Sequence, residues 1–182
     1  MLFKSLAKSG RWFSGTFEVA PFRCAKDAST SCYSGTELYS DFWGSLKDGA
    51  VYISKSFDPY VNLAFEEWLL RNTDFTRKDV LMFYRNLPTV VVGRHQNPWV
   101  EADVAYLIAN HIGLIRRFSG GGAVYHDVNN LNVSVMTHPK RHRRRMNLDW
   151  VSSMIRDRWG IPVGVNHKDD LVVNDRFKIS FL

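Results

Sequence analysis

The chain has 182 residues, enough for one domain with a core of its own. Hydrophobic residues make up 45% and charged residues 23%, the balance of a soluble globular protein, and no apolar run is long enough for a membrane span. The formal net charge of +6 admits nucleic acid, acidic protein partners or a targeting segment, whereas Cys24 and Cys32, outside any C-x-x-C motif, rule out a cysteine zinc site and argue against a disulfide framework.

Lys4, Lys8 and Arg11 fall on one helical face, Leu2, Phe3, Leu6 and Ala7 cluster towards the other, and no acidic residue precedes Glu18. That is the pattern of a mitochondrial presequence. Ala25 to Gly49 is rich in Ser, Thr, Gly and Asp and holds no sustained period, so it reads as a linker. Residues 1–49 are therefore presequence and linker, and residues 50–182 the folded part.

Ala50–Lys55 predicts a strand. Asp58 and Pro59 then predict the N-cap and first residue of a helix. Its Val61, Ala64, Phe65, Trp68 and Leu69 have the spacing of a core-facing stripe, punctuated by Asn62, Glu66 and Glu67, with Glu67 expected on the solvated face. Asp79–Arg85 and Thr89–Val92, separated by Pro88, suggest a hairpin leading into the polar loop Gly93–Trp99. His95 and Gln96 of that loop are weak pocket candidates. Glu101–Asn110 predicts one short helix, and Ile112–Ile115 a strand.

Arg116-Arg117-Phe118-Ser119-Gly120-Gly121-Gly122-Ala123-Val124-Tyr125-His126-Asp127 follows. Three adjacent glycines let the backbone reach φ > 0 and lie flat against a ligand, and successive N–H groups in such a loop form a concave anion site. The adjacent guanidiniums are suited to gripping phosphate or carboxylate oxygens. The equally weighted alternative is a plain glycine-rich hairpin. The stretch is neither a P-loop, lacking a following Gly-Lys-Ser/Thr, nor a G-x-G-x-x-G fingerprint.

Asn130–Thr137 alternates Leu131, Val133 and Val135 with Asn132, Ser134 and Met136, as a half-buried strand does. Lys140–Arg145 reads as a solvated basic loop. No aromatic residue interleaves with these charges, as a single-strand stacking platform would need, and nucleic acid is not expected as a partner. Asn147 is the expected cap of a helix running to Trp159, with Gly160 just past its end. Val163–Val165, Leu171–Asn174 and Phe177–Ser180 are short strand candidates, the last two joined by an Asn174-Asp175 turn. Helices and hairpins mix without a βαβ rhythm. The expected fold class is α+β, a mixed and largely antiparallel sheet with flanking helices.

Five segments, in order, resemble the lipoate–protein ligase and lipoyltransferase family: Ile53–Glu67, Pro88–Trp99, Arg116–Asp127, Asp170–Val173 and Phe177–Ser180. The wording Gly93-Arg-His-Gln-Asn-Pro-Trp99 most resembles animal mitochondrial lipoyltransferases. The resemblance implies a catalytic domain of the biotin/lipoate–protein ligase type. It also implies transfer of lipoate, activated as lipoyl-AMP, onto a lysine of a carrier. The implied carriers are lipoyl domains of 2-oxoacid dehydrogenase complexes and the glycine-cleavage H protein, met by a monomer in the mitochondrial matrix without membrane attachment. By resemblance, Lys178 is the catalytic cation beside the acyl carbonyl and phosphate. Arg117, Gly122, Ala123, Val124 and Tyr125 surround the adenylate and lipoyl chain, with Val124 and Tyr125 helping to line an apolar slot. Asp127 orients a base or caps a turn, and Lys168 belongs to the substrate-binding set. No metal and no tightly bound cofactor is implied. Lipoyl-AMP is the substrate, and the near alternative, an ATP-dependent ligase, adds ATP and Mg²⁺.

Three departures stand against the family pattern. Asn129 replaces a usual glycine, Lys168 replaces a usual arginine and so loses the planar fork, and Lys178-Ile179-Ser180 runs into Phe181-Leu182 where the family continues with small residues. The last departure leads us to expect a C-terminally incomplete catalytic domain, with a truncated non-catalytic product as a further alternative.

Overall fold

A computed structural model describes residues 16–22, 49–174 and 177–179. The Lys4/Lys8/Arg11 face and most of the expected linker lie outside these residues. In chain order the elements are β1 (Phe17–Phe22), β2 (Gly49–Ser54), α1 (Pro59–Asn72), β3 (Val80–Tyr84), β4 (Thr89–Val92), α2 (Pro98–Glu101), α3 (Val104–Ala109), β5 (Gly113–Arg116), β6 (Val124–His126), β7 (Asn132–Met136), α4 (Arg144–Trp159), β8 (Val163–Val165), β9 (Leu171–Val173) and β10 (Phe177–Ile179). The strands form three sheets, ordered β1-β2-β3-β7, β5-β4-β6 and β10-β9-β8. The β4–β5 pair is parallel, whereas β4–β6, β8–β9 and β9–β10 are antiparallel. This is the mixed sheet with helices expected of an α+β chain.

Two compact units divide the chain. The first holds Val51–Thr73 and Leu81–Ser134. Its helix α1 starts as the sequence predicts: the Asp58 carboxylate accepts from the Tyr60 N–H at 2.8 Å, and Pro59 occupies the first turn. The buried side of α1 differs from the predicted stripe. Asn62, Leu63, Phe65 and Leu69 are buried, and Ala64 is exposed. Phe65 gathers an aromatic cluster, with Phe17 stacked at 3.7 Å between centroids, Tyr52 edge-on at 5.5 Å and Trp68 at 5.7 Å. Phe17 begins β1, a strand in a stretch where the sequence reading places presequence and linker. Pro21 is compatible with it because β1 is an edge strand, the position in a sheet where proline is tolerated. Glu67 pairs with Arg71 one turn on, as a solvated position permits.

The expected β3–β4 hairpin does not form; the two strands lie in different sheets. The link is occupied elsewhere, because the Leu87 N–H donates to the Phe57 carbonyl and the Pro88 carbonyl accepts from Gly113. The single helix expected over Glu101–Asn110 is two short helices. Ala102 is extended between them, and the Asp103 carboxylate starts α3 by accepting from the Tyr106 N–H. In β7 the fully buried residues are Asn132 and Met136, while Leu131 is exposed, opposite to the predicted alternation. The Asn132 amide offsets its burial by donating to the Tyr84 carbonyl.

The second unit holds Asp74–Val80 and the described residues from Val135 onward. Leu148 of α4 packs with Val163 and Leu171 in its core, flanked by Val151, Ile155, Val165 and Val173. Helix α4 begins four residues earlier than predicted. Arg143 stands at its N-cap without a side-chain cap bond, and Asn147 is a buried interior residue. Gly160 ends it in the left-handed conformation, φ 65°. The basic run is exposed at Lys140 and His142–Arg145, as a solvated loop would be, but its Arg144 and Arg145 begin α4 and two of its arginines are committed to partners. Arg141 donates to the Phe75 carbonyl and the buried Asp79 carboxylate at 2.6 and 2.9 Å. Arg145 donates to the Val165 and Asn166 carbonyls and to Asp169.

Candidate functional site

The central loop is placed by β4. Strands β5 and β6 do not pair with each other; each pairs with one edge of β4, Val91 lying opposite both Ile115 and Val124. The plain-hairpin alternative is thereby excluded. Residues 117–123 instead cross the end of β4, and the Arg117 N–H extends the ladder by donating to the Val92 carbonyl at 3.0 Å.

Arg117 is buried, 4% exposed, and its guanidinium is spent on the loop. Nε and Nη2 donate to the Gly120 carbonyl at 3.2 and 2.8 Å, Nη2 to the Gly122 carbonyl at 2.8 Å, and Nη1 to the Val91 carbonyl at 3.3 Å. The neighbouring Arg116 braces the preceding turn through Nη1, which meets the carbonyls of Gly93, Arg94 and Gln96. The sequence reading gave both guanidiniums to an anionic ligand. The structure gives them to backbone carbonyls.

That assignment has a consequence for the loop. The peptide bonds of the described residues are all trans, and in a planar trans peptide the N–H points opposite to the preceding C=O. With the Gly120 and Gly122 carbonyls turned to Arg117, the N–H groups of Gly121 and Ala123 point away from it. Two donors thus face the side opposite the cation, the arrangement of an anion-binding backbone. The glycines do different jobs. A Cβ on Gly93 would lie 2.0 Å from the Gly121 carbonyl oxygen, and Gly121 has φ +97° with Arg117 Nη2 2.9 Å from its would-be Cβ. Gly120 and Gly122 face open space. Phe118 lies under two cations, Arg94 at 4.6 Å and Arg71 at 4.8 Å from its ring centroid.

Beyond the loop, Ala123 and Val124 are partly buried and Tyr125 is exposed. Alternation along β6 sends Val124 and the buried His126 to one face and Tyr125 to the other. The Asp127 carboxylate accepts from the N–H groups of Asn129 and Asn130, so it caps a turn. Asn129 does not have a positive φ, which explains why this position does without the family's glycine.

A polar cluster is buried behind the loop, and the sequence reading largely missed it. Asn62 of α1, Asn86 and His126 are each at most 1% exposed. The Asn62 amide nitrogen meets Asn86 Oδ1 at 2.8 Å, and Asn86 Nδ2 meets His126 Nδ1 at 3.0 Å. Burial, reinforced by the Arg117 charge, lowers the His126 pKa from 6.5 to about 4. Burial raises the Glu66 carboxyl, against a hydrogen bond with Ser134 and the Arg117 charge. Tyr84 is held well above its ordinary value by burial and then by Glu66, with Arg117 opposing. Burial lowers the Arg117 guanidinium itself, against Tyr84 and Glu66. The signal in the sequence was the polar pair Asn62 and Glu66, spaced i, i+4 beside the apolar face of a core helix.

The second unit carries the two predicted lysines. Lys168 is exposed in the Asn166–Asp170 turn of the β8–β9 hairpin, where Asn166 Oδ1 accepts from the Lys168 and Asp170 N–H groups. Asp169 in the same turn has φ 55° and receives Arg145. Lys178 sits on β10, in register with Val172 of β9. Among the described residues, no group of three or more His, Cys, Asp or Glu is placed to hold a metal ion.

Residues 58–180 match the model of the lipoyl protein ligase A/B catalytic domain. A Schizosaccharomyces pombe protein named putative lipoate-protein ligase A is 37% identical over 147 residues, covering 81% of this chain and 40% of its own length. The human protein named mitochondrial lipoyl amidotransferase LIPT1 is 38% identical over 140 residues, covering 76% of this chain and 38% of its own length. The solved structure of a bipartite lipoate protein ligase and its E2 lipoyl domain, from Thermoplasma acidophilum, is 33% identical with a TM-score of 0.53, covering 62% of this chain and 45% of that one. The chain spans about two fifths of the length of the curated relatives it matches.

Proposed function

Because this chain belongs to the lipoyl protein ligase A/B catalytic domain family, we propose that it takes part in protein lipoylation, moving a lipoyl group from lipoyl-AMP to a lysine of a carrier domain. The observation that carries this reading is the glycine loop across the end of β4, with Arg117 holding two carbonyls inward and two N–H groups outward. Outward donors suit the phosphate of an adenylate. The lipoyl chain would lie along the half-buried Ala123 and Val124.

In the proposed reaction the carrier lysine, as a free amine, attacks the acyl carbon of lipoyl-AMP. A C–N bond forms, the bond from the acyl carbon to the phosphate oxygen breaks, AMP leaves with the electron pair, and the amine's proton passes to solvent. Negative charge grows on the acyl and phosphate oxygens. Lys178 is the proposed catalytic cation for that charge, and Lys168 a further substrate cation. Arg117, Gly122, Ala123, Val124 and Tyr125 complete the proposed binding set, with Arg117 acting through the loop it braces. The carriers proposed are lipoyl domains of 2-oxoacid dehydrogenase complexes and the glycine-cleavage H protein. A solved relative pairs a ligase with an E2 lipoyl domain, which supports the first. The mitochondrial matrix is the proposed location, supported by the human relative's name and the basic N-terminus.

The names of the relatives include both ligases and an amidotransferase, so the test has two arms. The full chain is incubated with a lipoyl domain and either lipoyl-AMP, or lipoate with ATP and Mg²⁺, and the domain is weighed by mass spectrometry. Transfer from lipoyl-AMP alone is the expected result. Modification in both arms makes it a ligase, and modification in neither refutes the proposed activity.

A further inference from the structure

The buried cluster behind the glycine loop fixes a proton that the proposed reaction does not use. The Asn62 side chain lies 3.0 Å from the carbonyl oxygens of both Ser56 and Arg85. Carbonyl oxygens only accept, so the amide nitrogen of Asn62 must face them. Its oxygen edge then takes the Ser54 hydroxyl. The same nitrogen meets Asn86 Oδ1, which turns Asn86 Nδ2 towards His126 Nδ1. An amide NH₂ only donates, so Nδ1 must accept, and the ring proton resides on Nε2.

We infer that Asn62 and Asn86 are positioning residues that hold His126 as the neutral Nε2–H tautomer and so keep a second cation away from Arg117, the brace of the glycine loop. The inference rests on the reading that this loop receives the adenylate. The charged and titratable groups around the imidazole agree with the role. Arg117 disfavours the imidazolium, and Glu66 and Tyr84, the other titratable groups of the cluster, act on Arg117. A protonated His126 would also turn an N–H towards the Asn86 NH₂, donor against donor. At neutral pH His126 therefore carries its proton on Nε2.

The test is histidine ¹⁵N NMR on the full chain, with lipoyl-AMP titrations alongside. The expected wild-type spectrum at pH 7 shows a neutral ring with an unprotonated Nδ1 and a protonated Nε2. In Asn86→Asp a carboxylate faces Nδ1 and draws a proton to it. Lipoyl-AMP binding should then weaken by about tenfold or more at pH 6 and recover towards pH 8, whereas wild-type affinity stays flat over that range. Asn86→Ser, whose hydroxyl can donate or accept, should give mixed tautomers and serves if the aspartate variant does not fold. An Nδ1–H or cationic ring in the wild type would overturn the tautomer assignment. Altered protonation in either variant with unchanged lipoyl-AMP affinity would overturn the positioning role. The spectrum is read without ligand, so a wild type that shows the expected tautomer yet binds no lipoyl-AMP refutes the adenylate reading and leaves the tautomer standing.

Discussion

Gly93 and Gly121 are the two residues on which the loop's geometry turns. A methyl group on Gly93 would meet a backbone oxygen at 2.0 Å, and neither backbone can yield without moving β4 or the loop. Gly93→Ala should lower stability by about 2 kcal/mol or more, on the scale of a strained backbone position, and Gly121→Ala by a similar amount because φ is +97° there. Gly120→Ala and Gly122→Ala should melt close to wild type, since their added groups meet open space. Thermal melts of the four variants check that order, and four equal melting points would contradict it.

His126 sets a pH dependence at the same scale. Its folded pKa, about 4, is below its ordinary 6.5, so between these values the unfolded chain binds more protons than the folded one. The stability it supports is complete above about pH 6.5 and is lost as pH falls towards 4, on the order of 3 kcal/mol in all. Glu66 has the opposite sign, because its raised pKa makes the folded state take up a proton first as pH falls. His126→Asn keeps an acceptor for Asn86 and removes the titration, so its stability should vary less than wild type from pH 6.5 to 4. Chemical denaturation across that range reads the difference, and parallel curves would refute the assignment.

At the scale of elements, the pair Arg141–Asp79 shows where reading the sequence stopped short. Asp79 is buried, and its carboxylate is met by Arg141 at 2.9 Å within the second unit. Arg141→Ala should cost about 3 kcal/mol, because it strands a buried charge, and adding Asp79→Asn should recover part of that loss. A surface charge would cost well under 1 kcal/mol, and urea denaturation distinguishes the two. The run Lys140–Arg145 resembles a solvated loop because a row of charges carries no period from which partners can be read. Periodic and capped elements were legible: α1 with Asp58 and Pro59, β4, and the end of α4 at Gly160. The β3–β4 hairpin and the single helix over Glu101–Asn110 were misread because local turn residues fit both outcomes. Long-range partners, Phe57 for Leu87 and Gly113 for Pro88, decided the first, and the Asp103 cap decided the second.

Across the whole molecule, the glycine loop was legible as an unusual stretch, but its wiring was not. Which groups Arg117 would meet depends on β5 and β6 flanking β4, a topology that no local pattern encodes. The buried Asn62–Asn86–His126 chain was hidden for the same reason, since its members lie 24 and 40 residues apart in sequence. The N-terminal address is a separate matter of composition. Residues 1–30 fused to a fluorescent reporter should carry it into mitochondria, and changing Lys4, Lys8 and Arg11 to Glu should leave it in the cytosol. Equal import of both fusions would remove the presequence assignment.

The adenylate site is tested most directly by calorimetric titration of lipoyl-AMP into the full chain and into Gly122→Val. The wild type should bind, with AMP and lipoate each binding more weakly than the joined molecule. Gly122→Val should lose the binding while its melting point stays near that of wild type, because its side chain enters the open space that the ligand would occupy. Undiminished affinity in Gly122→Val, or no binding by a folded wild type, would contradict the placement of the adenylate on this loop.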